Sequence, residues 1–261
     1  MRGHLRALGR LMRILGHLLK GVVLTALSGG GDAGAEKRRC IRHAWYDRLL
    51  TLCGVHVQVL GKPPEQPALV VANHVSWLDV ALLGAALDPA FLSKAEVGRW
   101  PVIGWLARRH ETRFIERGGH QSAALAEALQ AGLAAGERPV VFPEGTTSHG
   151  GGVRRFYPRL FAAVAGTGYP VQPVALDYER PAGEGTPVAF IGNQGLLANL
   201  WRLLQRPQTR VSLHFLVPLD STRRDRRELA EASRTAIVQA LGVPAEPLSS
   251  PDRARRGAGK A

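Results

Sequence analysis

The chain has 261 residues, 45% of them hydrophobic and 21% charged, which is enough apolar sequence for a sizeable core and excludes disorder as a description of the whole. Its two cysteines, Cys40 and Cys53, exclude a disulfide-stapled scaffold and lack any metal-ligand spacing. Thirty-four Lys and Arg against 21 Asp and Glu leave a net charge of +13, so a polyanionic partner is expected: nucleic acid, an anionic membrane surface or a phosphorylated substrate.

Leu5 to Leu27 reads as an amphipathic helix. Leu5, Leu8, Leu11, Met12, Leu15, Leu18, Leu19, Val22 and Val23 fall on one arc, and Arg2, Arg6, Arg10, Arg13, His17 and Lys20 on another. The charges exclude a transmembrane span, and a helix lying in the membrane interface fits better. A surface helix packed on the core gives the same wheel, and a signal peptide is a weaker rival. SGGGDAGA (28–35) should break this helix, and a second basic segment with Ile41, Trp45, Leu49, Leu52 and Cys53 at helical spacing follows. Residues 1–48 carry a net +7, more than half of the excess charge. They are expected to form a two-helix basic hairpin over 1–54, ahead of an α/β domain over 55–243.

In that domain VHVQVL (55–60) alternates like a strand, and ALVVA (68–72) is a short apolar run. Ala90–Leu92 and Arg113–Ile115 are shorter strand candidates. Gln121–Ala135, with Leu125, Leu129 and Leu133 every four residues, is helical. Pro139–Phe142 is a buried strand and Phe161–Gly166 a short helix. Val171–Leu176, Val188–Ile191 and Arg210–Val217 are the remaining strands, and Leu229–Leu241 is a last helix. Residues 244–261 read as a disordered basic tail. Alternating strands and helices predict an α/β fold with a mixed, largely parallel sheet flanked by helices.

Ligands of such sheets gather beyond the carboxyl ends of strands. Three polar clusters sit there: NHVSWLD after ALVVA, ERGG after RFI, and PEGTTS after PVVF. In the first, a helix starting near Ser76 would let Asp79 reach back to His74. A carboxylate on one ring nitrogen fixes the tautomer and leaves the other to take a proton from a hydroxyl. The same residues also read as a helix cap beside a satisfied polar histidine. In PEGTTS, Gly145 permits a tight turn whose N–H and hydroxyl groups can cradle an anion. In ERGG, Arg117 could bind a phosphate bidentately. Walker, nucleophile-elbow and zincin motifs are missing from the sequence.

Taken in order, NHVSWLD, KAEVGRWPVIGW with RFIER, FPEGTTS and VQPVAL resemble the four blocks of the glycerolipid acyltransferase family, of the bacterial 1-acylglycerol-3-phosphate acyltransferase type. The blocks span roughly residues 70–176. The resemblance implies that His74 is the general base on a lysolipid hydroxyl and Asp79 its orienting carboxylate, with direct attack on an acyl thioester. It implies substrate-binding roles for Asn73, Ser76, Lys94, Arg117, Glu144, Gly145 and Thr146, with Arg117 on the acceptor phosphate. Trp100–Trp105 would lie near acyl chains or the membrane, and Pro173 behind the site.

The expected reaction moves an acyl group from acyl-CoA or acyl-carrier protein to the sn-2 hydroxyl of lysophosphatidic acid, giving phosphatidic acid, with no metal or cofactor. Thr147 stands where many members of the family carry Arg, which opens the acceptor headgroup to question. Lyso-ornithine lipid acyltransferases share the same blocks and use an acceptor without a phosphate. The expected partner surface is an anionic phospholipid membrane, at the cytoplasmic face of the inner membrane. The Arg residues of the first helix interleave with Leu rather than with aromatic residues, against a nucleic-acid partner. A non-catalytic basic membrane-binding module is the remaining rival.

Overall fold

A computed structural model describes residues 1–28, 31–87, 90–94, 98–99, 104–105, 113–115, 121–180, 185–192 and 194–246. The helices are α1 (Arg2–Leu27), α2 (Gly31–Cys53), α3 (Leu78–Ala86), α4 (Gln121–Ala134), α5 (Leu196–Gln205) and α6 (Arg226–Leu241). The strands are β1 (Val55–Leu60), β2 (Leu69–Ala72), β3 (Ala90–Lys94), β4 (Arg113–Ile115), β5 (Pro139–Val141), β6 (Val171–Tyr178) and β7 (Thr209–Phe215).

The seven strands form one sheet in the order β1-β7-β6-β2-β5-β3-β4. Every neighbouring pair is parallel except β6 with β7, so β7 and β1 run against the other five. This is the mixed, largely parallel sheet the sequence predicts. Helices cover both faces, and the two-residue period of the strands divides the core between them. Val70 and Ala72 of β2 and Val174, Leu176 and Tyr178 of β6 face a layer made with α1, α2, α3 and α5. Leu69 and Val71 of β2, with Val171 and Ala175 of β6, face the layer containing α4 and α6. Because β2 meets apolar partners on both sides, all four of its residues are buried, which is why it reads as an unbroken apolar run.

Several boundaries move for physical reasons. The glycine-rich segment breaks the first helix at Ser28, but α2 already begins at Gly31. Phe161–Gly166 is not a helix; a 3-10 turn over Pro158–Phe161 runs into turns, with Pro158 starting it. Val188–Ile191 forms no strand. Its Phe190 N–H instead donates to Val75 O at 2.9 Å, laying the segment against the loop after β2. Helix α5 was not anticipated. Helix α6 starts earlier than expected because Asp225 and Glu228 close a capping box, and Gly242 ends it in a left-handed turn at φ +60°. Ala245 and Glu246 do not belong to a disordered tail: Ala245 bridges Val153, and Glu246 N–H donates to Val153 O at 2.9 Å. Residues 247–261 lie outside the described residues.

Among the described residues no helix is long and apolar enough to cross a membrane. Helix α1 docks through the narrow seam of Ala7, Ile14, Gly21 and Thr25 against α2 and α5. Gly21 is required there, since a Cβ would lie 2.5 Å from the Trp45 indole nitrogen. Arg6 donates to Gln205 O at 2.7 Å, and Arg10 forks onto Leu204 O, Arg206 O and Pro207 O at 2.7–3.1 Å. Leu204 O and Gln205 O are among the carbonyls a helix leaves unpaired at its C-terminus, Arg206 and Pro207 follow directly, and the guanidinium charge also suits that end of the dipole. Part of the basic face therefore points into the protein. The ridge of Leu5, Leu8, Met12, Leu15, Leu19 and Val23 points to solvent.

Candidate active site

The carboxyl ends of β2, β5 and β6 lie side by side, and the chain leaving β2 forms the floor of the site. Asn73, the first residue past the strand, is buried and spends its amide on the neighbouring backbone. Its Nδ2 donates to Leu176 O at 3.0 Å and its Oδ1 accepts from Leu176 N–H at 2.8 Å. Ser76 is fully buried as well. Both residues, expected to touch substrate, build the loop instead.

His74 is the loop residue that faces outward, with a side chain 20% exposed. Its Nδ1 lies 2.8 Å from Asp79 Oδ2. An ionised carboxylate can only accept, so the neutral ring carries its proton on Nδ1 and leaves a lone pair on Nε2. Phe142, at the end of β5, stacks on the imidazole at 4.0 Å between centroids and 17° between planes. Tautomer and ring plane are thus both set before substrate arrives.

Asp79 enters from the first turn of α3, where an acidic residue is favoured by the helix dipole. It is fully buried. Its Oδ2 also accepts from Val75 N–H at 2.7 Å and Ser76 N–H at 2.9 Å, and its Oδ1 accepts from the Tyr178 hydroxyl at 2.5 Å. Four donors on one carboxylate offset the cost of burying the charge. Tyr178 went unnoticed in the sequence.

Glu144 closes the other side of the loop. It accepts from His74 N–H at 2.7 Å and from Arg154 N–H at 3.1 Å. Burial pushes its carboxyl up to about 8; the His74 and then the Arg154 N–H pull it back, while the Glu246 and Asp79 charges add to the rise. Glu144 is therefore a clamp between the loops after β2 and β5, and only 3% exposed. Gly145 takes φ +70°, as the turn requires, and it and Thr146 are exposed beside His74's loop. Ser148 N–H donates to His74 O at 2.8 Å, completing the join. Thr147 turns its hydroxyl onto Phe190 O.

Lys94 lies on β3, but its side chain is outside the described residues, as are Arg117 and 100–103 of the tryptophan segment. Pro173 pairs with Val71 behind the site. Among the described residues no group of three or more His, Cys, Asp or Glu side chains is placed to hold a metal ion. The assembled site is a partly exposed histidine held through Nδ1 by a buried, fully bonded carboxylate, at the rim of an α/β sheet, an arrangement suited to a general base.

Comparison with known proteins agrees with that geometry. The acyltransferase family profile matches residues 55–177. The chain is 40% identical to a lyso-ornithine lipid O-acyltransferase of Pseudomonas aeruginosa, over 94% of this chain and 97% of the relative. It is 33% identical to a 1-acyl-sn-glycerol-3-phosphate acyltransferase of Neisseria gonorrhoeae, over 69% and 73% of the two chains. The fold matches the crystal structure of the lysophosphatidate acyltransferase of Thermotoga maritima, with a TM-score of 0.68 at 22% identity, covering 93% and 97%. The chain belongs to the acyltransferase family and is an enzyme of its lysolipid-acylating branch.

Proposed function

We propose that the chain O-acylates a lysolipid at a membrane surface, with His74 as the general base and acyl-CoA or acyl-carrier protein as the donor. The observation that carries this reading is the His74–Asp79 hydrogen bond, closed at 2.8 Å around a buried carboxylate. Nε2 takes the proton of the acceptor hydroxyl as its oxygen attacks the thioester carbonyl. The new C–O bond forms, the C–S bond breaks, and the leaving thiolate recovers the proton from the imidazolium. Asp79 stabilises that imidazolium throughout. The remaining contribution is positioning two amphiphiles, for which an interfacial site is suited.

The preferred acceptor in this proposal is lyso-ornithine lipid. The Pseudomonas relative, matched almost end to end, bears that name. Thr147, where an Arg would serve a phosphate, is a neutral side chain committed to Phe190 O. Lysophosphatidic acid is the second reading, favoured by the Neisseria relative, and Arg117 is the phosphate ligand it requires. The outward ridge of α1 and the exposed Arg2, Arg13 and Lys20 beside it support binding to an anionic phospholipid bilayer. We place the enzyme at the cytoplasmic face of the inner membrane, where either donor is available.

The test compares the purified full chain on both acceptors, with each donor, in mixed vesicles. Lyso-ornithine lipid is expected to give the higher kcat/KM, and His74→Ala to lower turnover about 10²–10⁴-fold on either acceptor. Faster acylation of lysophosphatidic acid, together with a KM for it that rises in Arg117→Ala, establishes the second reading. Near-parent turnover by a folded His74→Ala protein overturns the mechanism.

A further inference from the structure

Asp79 is held by more than the histidine it serves. Three donors converge on Oδ2: His74 Nδ1, Val75 N–H and Ser76 N–H. The other oxygen, Oδ1, takes its hydrogen bond from the Tyr178 hydroxyl. The two residues are 99 apart in sequence, and the contact exists because of strand register. Ala72, the last residue of β2, pairs with Val174, so β6 runs four residues beyond its neighbour. Tyr178 ends that overhang. It shares a face with Val174 and Leu176, in the core layer that also holds Leu78 and Leu82 of α3, and its hydroxyl ends at Asp79.

We propose that Tyr178 is a positioning residue of the acyl transfer: it fixes Asp79 by the oxygen that His74 does not use and withdraws charge from the carboxylate, tuning how firmly Asp79 holds a proton on His74. A carboxylate that is loosely held would stabilise the transition-state imidazolium poorly. A short O–H donor on the far oxygen lowers the basicity of Asp79 and locks its orientation at once. Tyr178 is fit to be a permanent donor. Burial and the adjacent Asp79 charge hold its phenol well above the ordinary value, so it stays neutral wherever the enzyme works.

Among the described residues the charged and titratable groups around the pair are few. Asp79 comes from α3, Tyr178 from β6 and Glu144 from the loop after β5, the last bonded to the His74 backbone rather than to its ring. Phe142 supplies an apolar face. Asp177, next to Tyr178 on β6, pairs with Arg180 at 2.9 Å. A change at Tyr178 should therefore register on His74 through Asp79.

The experiment is Tyr178→Phe in the full chain, which removes one oxygen, assayed on vesicles with a lysolipid acceptor across pH. Expected are a kcat lower by about tenfold, an unchanged KM, and an acid limb of kcat/KM displaced upward by about 0.5–1 pH unit as Asp79 regains basicity. In an Asp79→Asn background the same change should displace nothing further. A parent-like kcat and acid limb overturn the proposal. A lower kcat with an unmoved acid limb also overturns it, since packing alone would explain that. A displacement that persists with Asp79→Asn overturns it too, because the effect would then not run through Asp79. If Tyr178→Phe does not fold, tyrosine-labelled NMR decides. The Tyr178 ring-carbon resonance must move in Asp79→Asn, and an unmoved resonance means the bond is absent. The inference rests on His74 being the base. An active His74→Ala sinks that reading, whereas an inactive His74→Ala with a parent-like Tyr178→Phe sinks only the role of Tyr178.

Discussion

Replacing Leu15 and Leu19 of α1 with serine tests what the outward ridge does. Leu5, Leu8, Met12, Leu15 and Leu19 are 50–69% exposed, and the buried seam of Ala7, Ile14, Gly21 and Thr25 lies on the opposite side of the helix. Burying a whole leucine side chain is worth about 1.5–3 kcal/mol, so with half to two-thirds still available each contributes about 1–2 kcal/mol on entering acyl chains. Losing two of them should cost about 2–3 kcal/mol of binding, which is roughly a 30- to 150-fold weaker partition. The assay is co-sedimentation with vesicles containing anionic lipid, at low and high salt. Thermal stability without vesicles should stay close to the parent's, because these side chains are not part of the seam. Unchanged partition, or a lowered melting temperature in its place, refutes the membrane reading and makes α1 an ordinary packed helix.

Arg10→Ala should destabilise the protein by about 2 kcal/mol and raise hydrogen exchange in α1, because three carbonyls at the end of α5 lose a forked donor. Arg10→Lys should recover only part of that, since an ammonium cannot reproduce the planar fork; an unchanged melting temperature in both contradicts the clamp. Asn73→Ala should cost about 2–4 kcal/mol, leaving Leu176 N–H and C=O unpaired in the core; a denaturation midpoint equal to the parent's contradicts this. Glu144→Gln tests the buried carboxyl. Between the ordinary carboxylate range and about 8 the folded state holds a proton that the unfolded state has released, so parent stability falls as pH rises through that window. Melts from pH 5 to 9 should show the parent losing stability relative to the variant, and two parallel curves would contradict the raised carboxyl.

What the sequence disclosed depended on how local the signal was. His74 and Asp79 are five apart, and the short turn that opens α3 at Leu78, two residues later than the expected start near Ser76, brings them together, so their spacing predicts the bond at 2.8 Å. Tyr178 needed register instead. The apolar run that marks the strand stops at Leu176, two residues short, while Val174, Leu176 and Tyr178 continue the same alternation with Asp177 between them. Helix α5 carries a helical pattern in Leu196, Leu200, Leu203 and Leu204 that is short and follows a glycine-rich loop. Val188–Ile191 failed for the opposite reason, because a short apolar run fits a strand and a buried turn equally well. Asn73 and Ser76 carry polar groups beside His74, and nothing in their types says that the backbone will take them first.

The net charge of +13 illustrates the same limit at larger scale. A helical wheel assigns α1 an apolar face and a basic face but cannot say which one meets the protein. In a surface helix packed on a core the leucines would turn inward and the arginines outward. Here small residues set the approach: Gly21 admits the Trp45 indole where even a Cβ would collide, and Ala7 is fully buried. Arg6 and Arg10 then find carbonyls that need donors at the end of α5, so turning them inward leaves no buried charge unpaired. Once those contacts are made, Leu11 and Leu18 lie against the core and Leu5, Leu8, Leu15 and Leu19 are left outward, with Arg2, Arg13 and Lys20 exposed beside them. Part of the basic excess thus holds the helix to the enzyme, and that attachment is what leaves the apolar ridge turned to solvent, where the membrane binding proposed above would use it.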